Sequence, residues 1–172
     1  VTITGIIVVP AKVLTFTNAG YDMLLCDTLN AYPWGGVFIR GSSDTLAHIA
    51  DGMLNYQRGD VVTMTGVISE FPTSNMNSLT QFQPIPNKPI TKIGTKPVPG
   101  PLAMTIGAFY RGLFPGGTVR YSTGEPLEGL YVELTNLKVD SKLNTDRGTF
   151  TMVDLAGNQI SIYDASRFFT KG

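Results

Sequence analysis

Asp27 stands between Cys26 and an aromatic pair, Tyr32 and Trp34, in the stretch YDMLLCDTLNAYPWGGVFIRG, and Asp154 holds a comparable place in TFTMVDLAGNQISIYD. A carboxylate can serve as a base or hold Ca²⁺ or Mg²⁺. A hard-cation site needs several converging oxygens, however, and neither acid belongs to an Asp-x-Asp-x-Asp run. An Asp at the end of a strand also accepts backbone N–H groups of the turn that follows, which fixes a hairpin. Hairpin capping is the expected role of Asp27 and Asp154.

His48 is the single histidine and Cys26 the single cysteine. One histidine cannot build a His-rich metal centre, and no Gly-x-Ser-x-Gly elbow accompanies it as a nucleophile. A half-exposed position on a helix is expected for it. One cysteine excludes a disulfide framework or a thiolate zinc cluster within the chain. Cys26 alternates with Leu24 in an apolar run and reads as a small hydrophobe. The pairs Gly35-Gly36 and Gly116-Gly117 are followed by no Lys-Ser or Lys-Thr, so they read as turn residues rather than a phosphate-binding loop. The residues assign no catalytic group, cofactor or metal site, and the chain reads as non-enzymatic.

The aromatic residues offer binding chemistry instead. Barrels that bind single strands stack bases on aromatic side chains of their second and third strands, flanked by Lys and Arg. Tyr21, Tyr32, Trp34, Phe38 and Arg40 form that candidate ligand face, with Phe150, Tyr163 and Arg167 as counterparts later in the chain. The basic flanking is thin: residues 1–94 carry five Lys/Arg against six Asp/Glu, and 95–172 carry eight against seven. A chain balanced at 13 against 13 has no overall electrostatic drive toward nucleic acid. Core or interface packing is the competing use of Phe38 and Tyr163.

These side chains need strands to position them. Short runs of Val, Ile, Thr, Phe and Tyr, frequent Gly and Pro, and the lack of a long amphipathic period point to an all-β chain. VTITGIIVV (residues 1–9) reads as a strand bent at Gly5, with positions 1, 3, 7 and 9 on one face and Pro10 as its end. Residues 21–26 and 36–40 read as a hairpin. SDTLAHIADGML (43–54) reads as a short helix whose Leu46, Ile49, Met53 and Leu54 face the core. GDVVTMTGVISEF and NSLTQFQPI supply two more strands. This is the order of a five-stranded Greek-key barrel of the oligonucleotide/oligosaccharide-binding (OB) type.

Residues 84–101 hold six prolines and read as an extended linker. Beyond them, FTMVD…NQISIYD repeats the layout of MLLCD…GGVFIRG. The domain reading is therefore an OB-like barrel at 1–86, a proline-rich linker at 87–101, and a second OB-like barrel at 102–172, each with at most one short helix. The second barrel is incomplete and needs a strand from elsewhere to cover its edges. No apolar run approaches the length of a membrane span. The abrupt start inside a strand suggests a piece of a longer protein.

In this order, VTITGIIV, MLLCD, GGVFIRG, GDVVTMTGVISEF and LTQ resemble the tandem OB-like modules of secreted bacterial cell-surface proteins and predicted extracellular nucleases. PLEGLYVELTNLKV and TFTMVDLAGNQISIYD are similar to the companion module. The resemblance implies an extracellular or cell-surface location and a non-catalytic structural or adhesive role, with other domains of the same polypeptide, or copies of the chain assembled by strand sharing, as partners. The alternative it implies is a module that binds single-stranded nucleic acid or glycan and delivers an attached enzyme such as a nuclease.

Overall fold

The computed structural model describes residues 1–15, 20–71, 78–111, 124–144, 148–166 and 168. The protein is mostly β, as the composition implied. Two compact units are present: Val1–Pro101 with Glu125–Tyr131, and Leu102–Gly124 with Val132–Gly172.

In the first unit five strands close a barrel. They are β1 (Thr2–Thr15), β2 (Tyr21–Cys26), β3 (Gly36–Arg40), β4 (Asp60–Phe71) and β5 (Leu79–Pro84). The ladder runs β1-β2-β3-β5-β4, and β4 pairs back onto β1 through Thr2↔Thr65 to Ile6↔Val61. Neighbours are antiparallel except β3 and β5, which run parallel at Phe38↔Gln81 and Ile39↔Phe82. Because β1 is paired on both sides within its own barrel, it is not a strand available for sharing.

β1 runs through Pro10 instead of ending there. Its register against β2 slips twice, and the five steps from Val9 to Leu14 oppose only the two from Leu24 to Asp22. Pro10 lies inside that bulged stretch, where the ladder does not require its missing N–H. At Gly5, an added Cβ would lie 2.9 Å from the carbonyl oxygen of Cys26, so the glycine allows β1 to cross close over β2.

Strand alternation fills the barrel with Ile7, Met23, Leu25, Ile39, Val62, Met64 and Phe82, joined by Ala11, Met53 and Ile90. A second apolar cluster lies on the other face of β1: Ile6, Val8, Cys26 and Val61 are buried beneath Val9, Leu24, Val98 and Tyr131. The run IIVV is therefore buried on both faces, whereas Val1 is 67% exposed.

The helix expected over 43–54 is split into α1 (Thr45–Ala50) and a 3₁₀ turn, Met53–Asn55. Asp44 caps α1, its Oδ1 accepting the amides of Leu46 at 3.0 Å and Ala47 at 3.1 Å. Gly52, at φ 84°, breaks the axis between the two pieces. The three- and four-residue spacing thus does not describe one face: Met53 is fully buried, but Leu46 and Ile49 are 76% and 58% exposed. The inward group of α1 is His48, which is buried rather than half-exposed. Its Nδ1 lies 2.8 Å from Asp51 Oδ2 and its Nε2 3.1 Å from Ser42 Oγ, so hydrogen bonds replace water at both nitrogens.

The expected linker at 87–101 also contains a strand, β6 (Thr91–Thr95), paired antiparallel with β4 from Asp60↔Thr95 to Thr63↔Thr91. The six prolines bracket this segment without entering it. It lies at a sheet edge, where proline-rich flanks are tolerated. Lys92 anchors it through an ion pair of 2.6 Å with Asp60.

The second unit pairs β7 (Leu102–Met104) in parallel with β8 (Val132–Leu134) and carries a short helix, α2 (Ile106–Arg111). A separate antiparallel sheet has the order β9-β10-β11, formed by Lys138–Asn144, Thr149–Val153 and Gln159–Tyr163. The closed barrel is thus that of the first unit; among the described residues the second unit forms a three-stranded sheet and a two-stranded pair.

Candidate ligand face

Register decides which candidate side chains share a surface. In the β2–β3 ladder, Asp22 faces Arg40, Leu24 faces Phe38 and Cys26 faces Gly36 on the outer side, while Met23 and Ile39 point into the core. Phe38 and Arg40 therefore share one face. Tyr21 has the opposite phase: it packs against the core, meets the His48 ring edge-on at 5.7 Å, and places its hydroxyl 3.1 Å from Thr45 Oγ1. Tyr32 precedes Pro33 through a cis peptide in the β2–β3 loop. Trp34 lies in the same loop, 64% exposed at φ 72°. In the second unit, Thr149↔Tyr163 and Phe150↔Ile162 are successive pairs, so Phe150 and Tyr163 lie on opposite faces of that sheet. Arg167 lies outside the described residues.

The candidate cation of this face already has a partner. Arg40 Nη1 donates to Asp22 Oδ2 at 2.8 Å, and the Asp22 side chain is 1% exposed. Burial pushes the Asp22 carboxyl up to about 6, with the Arg40 charge opposing the shift. Asp22 Oδ1 is buried with no hydrogen-bond partner among the described residues.

Asp27 and Asp154 build matching turns. Asp27 Oδ1 accepts the amides of Leu29 and Ala31, each at 2.9 Å. Asp154 Oδ1 accepts those of Ala156 and Asn158, also each at 2.9 Å. In both loops the third residue after the Asp has positive φ, Asn30 at 50° and Gly157 at 81°. Among the described residues, no group of three or more His, Cys, Asp or Glu is arranged to hold a metal ion.

Cys26 is buried, and burial together with the Asp27 charge pushes its thiol up to about 11. It is held as the thiol near neutral pH, not as the nucleophilic thiolate.

Residues missed in the sequence form a strap over this end of the barrel. The chain returns from the second unit at Glu125 and leaves again after Tyr131. Trp34 N donates to Pro126 O at 3.0 Å. An added Cβ on Gly36 would lie 2.0 Å from the Gly129 carbonyl oxygen, so this crossing requires glycine. Asn30, fully buried, donates through Nδ2 to Tyr131 O at 2.8 Å and Gly100 O at 3.3 Å, and its Oδ1 accepts Tyr131 N at 3.3 Å. One side chain thus holds both the departing and the returning segment. Thr80 N donates to Glu128 Oε2 at 2.8 Å, and Thr80 Oγ1 donates to Glu70 Oε1 at 2.8 Å with Glu125 Oε2 at 3.5 Å. Burial raises the Glu128 carboxyl, helped by the negative charges of Glu125 and Glu70 and opposed by the Thr80 amide. An Asn in a loop signals a turn; nothing in its neighbourhood announces a partner 101 positions away.

Compared with known protein families, curated proteins and solved structures, the chain gives no match. What the site can do is argued from its own residues. Among the described residues, no helix is long and apolar enough to cross a membrane.

Proposed function

We propose that this chain is a non-catalytic structural segment of an extracellular or cell-surface protein, built from an OB-type barrel and a divergent, open second copy. The observation that carries this reading is the Asn30 clamp: a buried side chain fastens the chain to the barrel just before it first departs, at Gly100, and at the end of the returning segment, at Tyr131. That arrangement, internal to the first unit, suits a structural module. The neutralised Arg40 argues in the same direction. The matching Asp27 and Asp154 turns support kinship of the two units, and the proposed location rests on the resemblance read from the sequence motifs alone.

Assembly with further copies or domains is part of the proposal. Within their own three-stranded sheet, β9 and β11 are the edges, and an edge strand is a template for strand addition. Val139 on β9 is 53% exposed. Light scattering of the intact chain over a concentration series should show reversible growth in mass, reduced in Val139→Lys. A monomer at every concentration would remove assembly from the proposal.

A second reading rests on Trp34, 64% exposed in the β2–β3 loop, together with Phe38 and Arg40 on one face of β3: a module that binds single-stranded nucleic acid or glycan. Trp34 is the only tryptophan, so its fluorescence reports contact directly. Quenching by an oligonucleotide or oligosaccharide that is lost in Arg40→Ala would favour this reading. An unchanged spectrum with both ligand types would reject it.

A further inference from the structure

A cleft of about 580 Å³ opens on the first unit, lined by Arg58, Gly59, Thr95, Lys96, Pro97 and Val98. Its floor is fixed by backbone bonds: Gly59 N donates to Ile7 O and Lys96 N to Gly59 O, both at 2.9 Å. Two cations rise from that floor. Arg58 lies over the Tyr131 ring, 5.4 Å from its centroid, and Nη1 donates to Val8 O at 3.5 Å. The ring and the carbonyl orient the guanidinium while leaving most of its five donors for another acceptor.

The charge balance here is one-sided. Asp60, beside Gly59, is buried and bound to Lys92, whose hydrogen bond holds its carboxyl below the usual carboxylate range despite burial. Among the described residues neither Arg58 nor Lys96 has a carboxylate partner, so the cleft presents two uncompensated positive charges. Pro97 and Val98 add an apolar wall. The volume is larger than a bare phosphate requires.

We propose that this cleft binds a phosphate monoester, with the dianion held between Arg58 and Lys96 and its organic part against Pro97 and Val98. A planar guanidinium fork beside a flexible ammonium is suited to a tetrahedral dianion. Thr95 supplies a further hydroxyl among the lining groups. A free nucleotide and a phosphorylated sugar or polyol offer the same headgroup, and the organic part distinguishes them.

The test is an amide NMR titration of the intact chain with adenosine monophosphate, glycerol phosphate and inorganic phosphate in parallel. At least one ester should shift the Gly59 and Lys96 amides, with a dissociation constant of about 1 mM or tighter, and bind better than inorganic phosphate. Preference for adenosine monophosphate would assign a nucleotide, and preference for glycerol phosphate a phosphorylated polyol. Lys96→Gln, which leaves the Arg58–Tyr131 contact intact, and Arg58→Gln should each weaken binding about tenfold, whereas Lys88→Gln at a separate surface position should not. No shift with about 10 mM of any probe, equal affinity for inorganic phosphate, or undiminished binding in both cleft variants would overturn the proposal.

Discussion

Arg40 and Asp22 are bonded at 2.8 Å across the β2–β3 ladder, on the face where a cation would serve a ligand. Burial nevertheless leaves the Asp22 carboxyl at about 6, above its ordinary 3.8, so desolvation outweighs the attraction of Arg40. A carboxyl raised in the folded state contributes stability that is fully present below the unfolded value and is lost as pH rises through the folded one. Between pH 4 and pH 7, wild type should therefore lose up to about 3 kcal/mol relative to Asp22→Asn, since each tenfold change in proton affinity corresponds to about 1.4 kcal/mol. Denaturant midpoints of both proteins across that range measure the difference. A constant difference would mean that Asp22 titrates as it does in the unfolded chain.

Glu128 is raised for a related reason, with the negative charges of Glu125 and Glu70 adding to burial. Its stabilising contribution likewise grows as pH falls through its folded value. Glu128→Gln keeps an oxygen for the Thr80 amide and removes the charge. The variant should hold the strap more firmly than wild type at neutral pH, and the two should converge on acidification. Hydrogen exchange at the Thr80 amide provides the measurement; faster exchange in the variant at neutral pH would show that the charged carboxylate is the better acceptor here.

Asn30 can be tested without disturbing its backbone, because φ of 50° is open to glycine. Asn30→Gly removes three part-buried hydrogen bonds and leaves Tyr131 N, Tyr131 O and the Gly100 carbonyl without this partner. A loss of about 2–3 kcal/mol is expected. Limited proteolysis should cut within 125–131 faster in the variant. A stability equal to wild type would show that the strap is held by its other contacts alone.

Local chemistry made parts of this molecule readable in sequence. The closed barrel follows from strand alternation and the turn chemistry of Asp27 and Gly35-Gly36. Asp44 followed by Thr-Leu-Ala announced α1, although the spacing of Leu46, Ile49 and Met53 misidentified its inner face because Gly52 redirects the chain. Phe38 and Arg40 were recognisable as neighbours on one strand face. Sequence alone groups Tyr21 with them, because its phase depends on the register of β2 against β3, which a single strand does not carry. The strap, the Asn30 clamp and the burial of Asp22 are long-range relationships. The strap and the clamp join residues 48 to 101 positions apart, and the burial of Asp22 depends on how the whole barrel packs, so no local spacing encodes them.

Cys26 makes the same long-range coupling measurable. Its thiol is buried with Ile6, Val8 and Val61 under Val98 and Tyr131, and those two covering residues belong to the segments that Asn30 holds. A reagent that requires thiolate should react slowly with the native protein, because burial and the Asp27 charge keep the thiol at about 11. Reaction then depends on local opening of the cover, which costs less than global unfolding. Asn30→Gly should accelerate labelling of Cys26 about tenfold or more under conditions where circular dichroism shows the barrel intact. If labelling instead follows global unfolding in both proteins, the cover and the barrel open as one unit, and Asn30 fastens no separately detachable strap.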